Sequence, residues 1–433
     1  MSYFVKQKFC VVLAVFASFF SHADDFQVIS FSADGTLIVS NAFLNGVVTI
    51  QKAATVDGPW LPQKNAYSTD IVAQVTVDVS GQTGFYRPLA VDLSGDAGFT
   101  NLVQSYGVLS TVAGSGGTIC SPCNNWQASF EGGPATNAEL SHPHIAMADR
   151  AGNIYIADKE AHSIRKVLPD GRIFTVAGMN AAGNGETNPA PAKFVALNNP
   201  NGLWVQEDGT FYILDRDNGY IRKVDTNGIA TALVENGGPI SEGRGLWVSP
   251  DESLVYYAAG YQLKSWDSTN GITVVSSSFS QLGNIAVDPT GVLVASDRTG
   301  NKVFRMEAGG TRTAIAGNGG FGGGGDGALA LDTGLNQPRA IWFLPSGAYF
   351  VGTDNGSQLW YVDTDGYIHL FLNGTGTSSS HSGDGSWFYD NPTDFKVSKL
   401  RQITMDYDGN LLITENDAGY VRKVRFLPHA PPD

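Results

Sequence analysis

The sequence predicts an all-β protein in which a small β module precedes a larger domain built from repeated strand units. The first observation is compositional: the 433 residues include 52 glycines and 19 prolines, whereas charged residues make up only 16%. A turn-rich, weakly charged chain of this kind is typical of β architectures. The second observation is an alternation of apolar and polar residues near the N-terminus, and the third is a segment pattern that recurs six times further along the chain.

The first 23 residues are predicted to be a secretory signal peptide. Lys6 and Lys8 form a short basic region, an apolar run follows at 9–20, and residues 21–23 fit a small-x-small cleavage site. The apolar run is too short to span a membrane stably. We therefore expect an exported protein that is secreted, periplasmic or held at the cell surface.

The net charge limits the classes of partner. The chain carries 27 basic and 41 acidic residues, which gives a formal charge of −14. A general nucleic-acid binder needs a basic face that displaces counterions, and docking on anionic lipid also needs basic residues. We expect no nucleic-acid partner and no membrane insertion, and a protein or a polar extracellular ligand as the partner.

Residues 24–91 are predicted to form a small β-sandwich. Segments such as 26–31 and 72–77 alternate apolar and polar residues, and turn residues separate these segments. The closing segment 84–87 resembles the end of fibronectin-III-like modules. Two roles are open for this module: it attaches the protein to a partner, or it is a spacer or lid on the second domain. Residues 92–106 are expected to link it to the next domain.

Residues 107–427 contain the six copies of the repeat, and a polar tail, 428–433, follows them. The clearest copy consists of four short apolar segments separated by turns: 143–147, 152–158, 164–167 and 173–178. Four-strand units repeated every 40–60 residues or so are typical of β-propeller blades. The sixth copy lacks a fourth strand, and residues 108–114 match the missing one. We expect this segment to close the ring, which removes exposed sheet edges.

The repeats resemble those of the NHL-repeat family, whose members are six-bladed β-propellers. The motifs that carry the resemblance are 111–114, 132–140, 152–158 and 164–167. The resemblance covers roughly residues 108–427 and implies a six-bladed NHL/TolB-like propeller. Residues 256–259 depart from it, because this strand lacks the terminal aspartate. Some NHL-like propeller enzymes, lyases among them, hold a divalent ion at one face of the ring.

Acidic residues at the ends of the second strands are expected to be structural. Asp158, Asp215 and Glu415 occupy matching positions in three copies, and each copy carries an Arg-Lys pair a few residues later. The expected role is an ion pair within or between blades. The Asp-Gly and Asn-Gly sequences elsewhere are ordinary turn residues, because no distal glutamate or flanking helices complete a calcium loop.

Aligning the six copies places one polar residue at the start of each innermost strand. These residues are His144, Asn201, Arg244, Asn284, Arg339 and Gln402. Because innermost strands surround the axis of a propeller, we expect the six side chains to converge at one mouth of its channel. Two interpretations are open. The ring is either a site for a carboxylate, a phosphate or a polar sugar, or a water-filled mouth whose polar groups solvate one another.

Long loops lead into several innermost strands and border the same mouth. Loops on a rigid scaffold are frequent locations of binding residues. Trp126 and Trp387 lie in two of these loops and are candidates for exposed aromatic stacking.

The cysteines and histidines of one loop allow several interpretations. Cys120, Cys123, His142 and His144 superficially resemble a four-ligand metal set. Free or redox-active thiols are a second alternative. In an exported protein, a disulfide between Cys120 and Cys123 is favoured over both. No cofactor is predicted, and a divalent cation is the candidate if one binds.

The sequence favours a binding module over an enzyme. It contains no Gly-x-Ser-x-Gly elbow, no His-Glu-x-x-His motif and no phosphate-cradling loop. We expect it to bind a protein, or a polar anionic or sugar ligand, at the channel mouth. The alternative is a lyase or hydrolase with a divalent metal there, in which His144 is the candidate base or metal ligand. Arg244 and Arg339 would then hold an anionic substrate.

Overall fold

The structure, a computed structural model, describes residues 27–44, 46–68, 70–77, 79, 84–92, 98–116, 123–185, 187–373, 381–385 and 396–426. It divides the chain into two compact units, Met1–Gly107 with Phe426–Asp433, and Val108–Arg425. The proposed signal peptide lies outside the described residues. Antiparallel strands dominate both units, which confirms the all-β prediction. Among the described residues, no helix has the length and apolar character needed to cross a membrane.

The first unit is a sandwich of two three-stranded sheets, with the strand orders β1-β2-β5 and β4-β3-β6. Its elements are β1 (Gln27–Phe31), β2 (Thr36–Ser40), β3 (Gly46–Ala53), β4 (Leu61–Ser68), β5 (Val72–Thr76), β6 (Phe85–Asp92) and helix α1 (Gly98–Gln104). Alternate residues such as Leu37 and Val39, or Ala73 and Val75, are buried in a common core. This is the period-2 burial that the sequence predicted. Its fibronectin-III-like identity stays a prediction.

The second unit is a six-bladed propeller. In the described part of the chain, six antiparallel sheets follow one another. The first blade contains β8 (Pro143–Ala148), β9 (Ile154–Asp158), β10 (Ser163–Val167) and β11 (Ile173–Gly178). The second contains β12 (Ala190–Pro191), β13 (Pro200–Val205), β14 (Phe211–Asp215), β15 (Tyr220–Val224) and β16 (Ile229–Glu235). The third contains β17 (Leu246–Val248), β18 (Val255–Ala259), β19 (Gln262–Asp267) and β20 (Gly271–Ser276).

The last three blades have the same plan. The fourth blade contains β21 (Leu282–Val287), β22 (Leu293–Asp297), β23 (Lys302–Met306) and β24 (Arg312–Ala316). The fifth contains β25 (Ala328–Leu329), β26 (Pro338–Phe343), β27 (Tyr349–Thr353), β28 (Gln358–Val362) and β29 (Tyr367–Asn373). The sixth contains β30 (Leu400–Met405), β31 (Leu411–Glu415), β32 (Tyr420–Phe426) and β7 (Tyr106–Ala113). Short 3₁₀ turns lie at Ala128–Phe130, Ala135–Asn137, Lys159–Ala161, Ala192–Phe194, Ala308–Gly310 and Ala330–Asp332.

The ring closes as the sequence predicted. The innermost strands contact one another in the cyclic order β8, β13, β17, β21, β26, β30 and again β8. The outermost strand of the sixth blade is β7, which comes from the N-terminal side of the propeller. Strands from the two ends of the propeller segment are therefore joined in one blade.

The recurring Ala-Gly at the end of the outermost strand has a steric cause. Gly114, Gly178 and Gly317 all have positive φ angles, of 97°, 90° and 85°. A Cβ at these positions would lie 2.0–2.2 Å from a backbone carbonyl oxygen. Only glycine combines this backbone conformation with so close an approach.

In five of the described sheets, the innermost strand has an irregular register after its first residue. The first residues, Pro143, Pro200, Leu282, Pro338 and Leu400, pair with the last residues of the second strands, and the regular pairing resumes only two or three residues later. A bulge of this kind re-aims the side chain that it contains. The bulge lies at the mouth end of each strand, so it decides which side chain reaches the mouth.

Candidate functional site

The bulges correct one position of the predicted ring. The residues directly after the first strand pairs are His144, Asn201, Gly283, Arg339 and Arg401. In the sixth blade, Gln402 lies one residue further along its strand than Arg401. The alignment that placed Gln402 in the ring was wrong by one residue, because a bulge leaves no mark in the apolar pattern.

Five of the six predicted residues nevertheless converge. A small mouth cavity of about 10 Å³ is lined by His144, Ile145, Asn201, Arg244, Gly283, Asn284, Arg339 and Arg401. A volume of this size accommodates about one water molecule. Gln402 does not line this cavity and instead lines a larger one in the channel. Arg401, which the sequence analysis missed, takes its place at the mouth.

Asp354 organises the guanidinium groups of the mouth. One of its carboxylate oxygens lies 2.7 Å from Nη2 of Arg339 and 3.6 Å from Nη2 of Arg298. The other oxygen accepts a hydrogen bond from Arg401. The Asp354 side chain is only 2% exposed. Three arginines from three blades therefore share one buried carboxylate, which follows directly after β27.

A chain of polar contacts extends this cluster to Arg244. Nη1 of Arg298 donates to Oε1 of Gln281 at 2.8 Å. Nε2 of Gln281 donates to Glu242 at 3.0 Å, and Glu242 forms a 3.0 Å ion pair with Arg244. The hydrogen bonds of Gln281 thus connect the ion pairs of the third blade with those of the fourth and fifth.

The connected set has more positive than negative charge. On the other side of Arg401, its Nη2 lies 3.4 Å from Asp417, which also pairs with Lys399 at 3.3 Å. The set therefore comprises five cations and three carboxylates, a balance of 5 − 3 = +2. Its members are Arg244, Arg298, Arg339, Lys399 and Arg401, with Glu242, Asp354 and Asp417. This local excess of positive charge contrasts with the net charge of −14 of the whole protein.

Several donors of these arginines lack partners. Within the described chain, Nε of Arg244, Arg339 and Arg401 is buried and has no hydrogen-bond partner. Burial lowers the pKa of Arg339, and repulsion from Arg401 and Arg244 adds to this effect, although Asp354 opposes it. Burial likewise lowers the pKa values of Arg244 and Arg401. An anion at this position would offset the repulsion among the guanidinium groups.

His144 is an uncharged member of the ring. Burial, together with the charges of Lys159 and three arginines, holds the pKa of His144 well below its usual range. Its imidazole is therefore neutral at pH 7 and offers one donor and one acceptor. A neutral histidine between arginines contributes polarity without adding to the cation excess.

Buried ion pairs fix the loops that lead to the mouth. Oδ1 of Asp215 accepts the backbone N–H of Asn198 at 2.7 Å, and Glu415 accepts that of Ser398 at 2.8 Å. Asp158 binds the N–H of Ser141 in the same way. Each of these carboxylates also pairs with an arginine, which confirms the expected pairs: Asp158 with Arg165, Asp215 with Arg222 and Glu415 with Arg422.

Two of the residues missed by sequence reasoning, Arg298 and Asp354, share one position in the repeat. Arg298 and Asp354 each follow directly after the second strand of a blade. Lys159, Arg216 and Asn416 occupy the same position in other blades, so the position is polar in five copies. The turn after a second strand lies at the same face as the start of the innermost strand. This repeat position was therefore a readable signal for mouth residues.

Trp126 is not the exposed stacking residue that the sequence suggested. Its side chain is 9% exposed, and its ring centroid lies 3.5 Å from the guanidinium carbon of Arg165. It also packs edge-on against Phe130. The prediction was wrong because the fully buried Arg165 guanidinium is covered by an aromatic face. Trp387, the other candidate, lies outside the described residues.

The cysteine and histidine loop shows no metal centre in its described part. Cys123 is disulfide-bonded, whereas Cys120 lies outside the described residues, so their pairing stays a prediction. Nδ1 of His142 lies 3.2 Å from Oδ1 of Asn416, and His144 lines the mouth. Over the described ranges, no group of three or more His, Cys, Asp or Glu side chains is placed to hold a metal ion.

No protein-family model matches the sequence. A curated relative, SUPPRESSOR OF QUENCHING 1 from the chloroplast of Arabidopsis thaliana, is 34% identical over 89 residues. The match spans 20% of this chain and only 8% of that protein. Membership of the NHL family therefore stays a prediction.

Solved structures similar to this chain support its fold. A Bacteroides thetaiotaomicron protein of unknown function has a TM-score of 0.57 at 13% identity, covering 94% of this chain and 99% of its own. An auxiliary nutrient binding protein from Bacteroides ovatus has a TM-score of 0.54 at 13% identity, covering 90% and 94%. Another from B. thetaiotaomicron has a TM-score of 0.53 at 11% identity, covering 92% and 97%. At these identities, the likeness shows the fold alone.

Proposed function

We propose that this protein is an exported binding module that takes the anionic group of a polar ligand at the channel mouth. The observation that carries the proposal is the connected set of five cations and three carboxylates. Three buried Nε–H donors in this set have no partner among the described residues. Buried donors normally have partners, and charge-assisted bonds to an anion are the strong kind.

The size of the mouth cavity restricts how the ligand binds. A volume of about 10 Å³ admits only one small group, such as a carboxylate oxygen in the place of a water. The remainder of the ligand would then rest outside the ring, on the loops that border the mouth. The proposed ligand is therefore a larger molecule with a terminal carboxylate or phosphate, including an acidic sugar or an acidic protein side chain.

Two further features support a role in binding. Two proteins of similar fold are described as auxiliary nutrient binding proteins. The basic region and apolar run before residue 24 favour export. Together they fit a module that meets its ligand outside the cytoplasm.

The enzyme alternative has less support. A general base works best when its pKa lies near the operating pH. Burial and the surrounding cations hold the pKa of His144 well below its usual range, which makes it a weak base. The described residues also supply no cluster for the divalent metal of that hypothesis.

The test is calorimetric titration of the purified full chain with glucuronate, malonate and inorganic phosphate, with glucose as the uncharged probe. We expect at least one anion to bind and glucose not to bind. The double variant Arg339→Gln/Arg401→Gln should weaken binding of that anion at least tenfold, and Arg172→Gln should not. Arg172 is a matched control because its ion pair with Asp170 is half exposed. Equal binding by all three proteins would overturn the proposal.

A further inference from the structure

A second cavity lies in the channel, and the anion site does not account for it. Its volume is about 170 Å³. It adjoins the mouth cavity at Ile145 and Asn284, which line both. Its lining also includes Val287 and Phe343, the last residues of β21 and β26. The cavity therefore extends from below the arginine ring to the end of the channel remote from the mouth.

The lining of this channel cavity is aromatic and uncharged. Trp204 and Trp342 contribute indole rings, Phe343 contributes a phenyl ring, and Met147 contributes a thioether. The remaining lining side chains are aliphatic, apart from the amides of Asn284 and Gln402. Moving a charged group into such surroundings is strongly unfavourable, whereas a flat apolar ring gains contact with aromatic faces. The lining therefore disfavours charged groups and favours neutral, apolar ones, flat rings among them.

Side chains from opposite sides of the ring close the cavity. Trp342 of the fifth blade packs against the hydrophobic cluster that the first two blades form, which includes Met147 and Leu203. Trp204 lies 6.1 Å from Trp247 of the third blade, measured between ring centroids. Trp204, Val287, Trp342 and Phe343 remain partly exposed. Because these side chains are partly exposed, a ligand is able to enter the channel cavity from the end of the channel opposite the arginines.

The polar side chains of the lining belong to Asn284 and Gln402. A side-chain amide carries two N–H donors, and a hydroxyl oxygen accepts a hydrogen bond from such a donor. A hydroxyl group on an otherwise apolar ligand is therefore able to pair with an amide of the lining.

We propose that the channel cavity is a second binding site, specific for a small neutral aromatic molecule that carries a hydroxyl group. A cavity of about 170 Å³ matches one six-membered ring, since an apolar cavity of roughly 150 Å³ is known to bind benzene. The ring stacks among Trp204, Trp342 and Phe343, and the hydroxyl group pairs with the side-chain amide of Asn284 or Gln402. This site is independent of the proposed anion site.

The test uses ¹⁹F NMR of 4-fluorophenol with the full chain, and fluorobenzene as the probe without a hydroxyl group. We expect saturable binding of 4-fluorophenol, and binding of fluorobenzene at least fivefold weaker. Ala286→Leu fills the cavity and should weaken 4-fluorophenol binding at least tenfold. Ala151→Leu, at an exposed turn, is the matched control and should bind like the parent protein.

Two further variants make the outcome decisive. Met147→Ala enlarges the cavity and should admit 6-fluoro-2-naphthol, which the parent protein should exclude; this arm applies even if Ala286→Leu fails to fold. Arg339→Gln should leave 4-fluorophenol binding unchanged, which separates this site from the anion site. The absence of saturable binding, or tight binding by a folded Ala286→Leu protein, would overturn the proposal.

Discussion

The second and fifth blades each carry a carboxylate near the end of the second strand, but its position in the repeat differs by one residue. This difference changes what the carboxylate binds. In the second blade, Asp215 ends the second strand and forms a buried 2.7 Å ion pair with Arg222. In the fifth blade, Thr353 and Trp360 occupy these two positions in the strand register. The carboxylate follows at Asp354, where it binds arginines of the mouth. A shift of one residue thus separates a carboxylate that supports its blade from one that organises the site.

The comparison also shows that a blade does not require the buried ion pair. Desolvation of two charges often outweighs their attraction, so apolar replacement of both is frequently neutral. In the first blade, burial raises the pKa of Asp158 and lowers that of Arg165, despite their mutual attraction. In the fifth blade, the hydroxyl of Thr353 instead accepts the backbone N–H of Gln358 at 3.1 Å. The charged pairs therefore serve mainly to fix the loops that lead to the mouth.

The largest expected effect comes from breaking one buried pair. Arg222→Met leaves Asp215 as an uncompensated buried charge and should lower the free energy of unfolding by about 3–5 kcal/mol. The double variant Asp215→Asn/Arg222→Met removes both charges, keeps an acceptor for the N–H of Asn198, and should recover at least about 1 kcal/mol of this loss. Urea unfolding measures both. A double variant less stable than Arg222→Met would contradict the comparison.

A smaller effect is expected at the mouth. Asp354→Asn removes the carboxylate that Arg298, Arg339 and Arg401 share, and should destabilise the protein by about 1–3 kcal/mol. Because Arg298 and Arg339 then lose the carboxylate that they pair with, phosphate or malonate should restore stability more strongly than in the parent protein. Melting temperatures with and without each anion measure this. Asp170→Asn, at a half-exposed ion pair, is the control; an equal response to anions in both variants would argue against a cationic mouth.

The smallest effect concerns the sixth blade, where His381 joins the ion pair of Glu415 and Arg422. Burial disfavours the charged form of His381, but hydrogen bonds to Asp384 and Glu415 outweigh burial and raise its pKa above the ordinary histidine value of about 6.5. The stabilisation is therefore fully present below pH 6.5 and is lost as the pH rises through the pKa of the folded state. His381→Gln should lower the melting temperature more at pH 5.5 than at pH 8.5. An equal decrease at both pH values would refute this assignment.

Most of the fold was predictable from the sequence, and the site was predictable only in part. The six repeats and the closing strand β7 follow from apolar periodicity, which burial imposes on every blade. The ring was misplaced at Gln402, because a bulge shifts a side chain without changing the apolar pattern. Asp354 was missed because its role arises from arginines that belong to three different blades.

The most direct test of the central claim is a crystal structure of the protein soaked with bromoacetate, read by the anomalous signal of bromine. The account predicts a bromine peak at the channel mouth, with the carboxylate hydrogen-bonded to Arg339 or Arg401. The peak should be absent from Arg339→Gln/Arg401→Gln crystals grown and soaked in the same way. A mouth that holds only water in the parent crystals, or an equal bromine peak in the double variant, would contradict the claim that these arginines form an anion site.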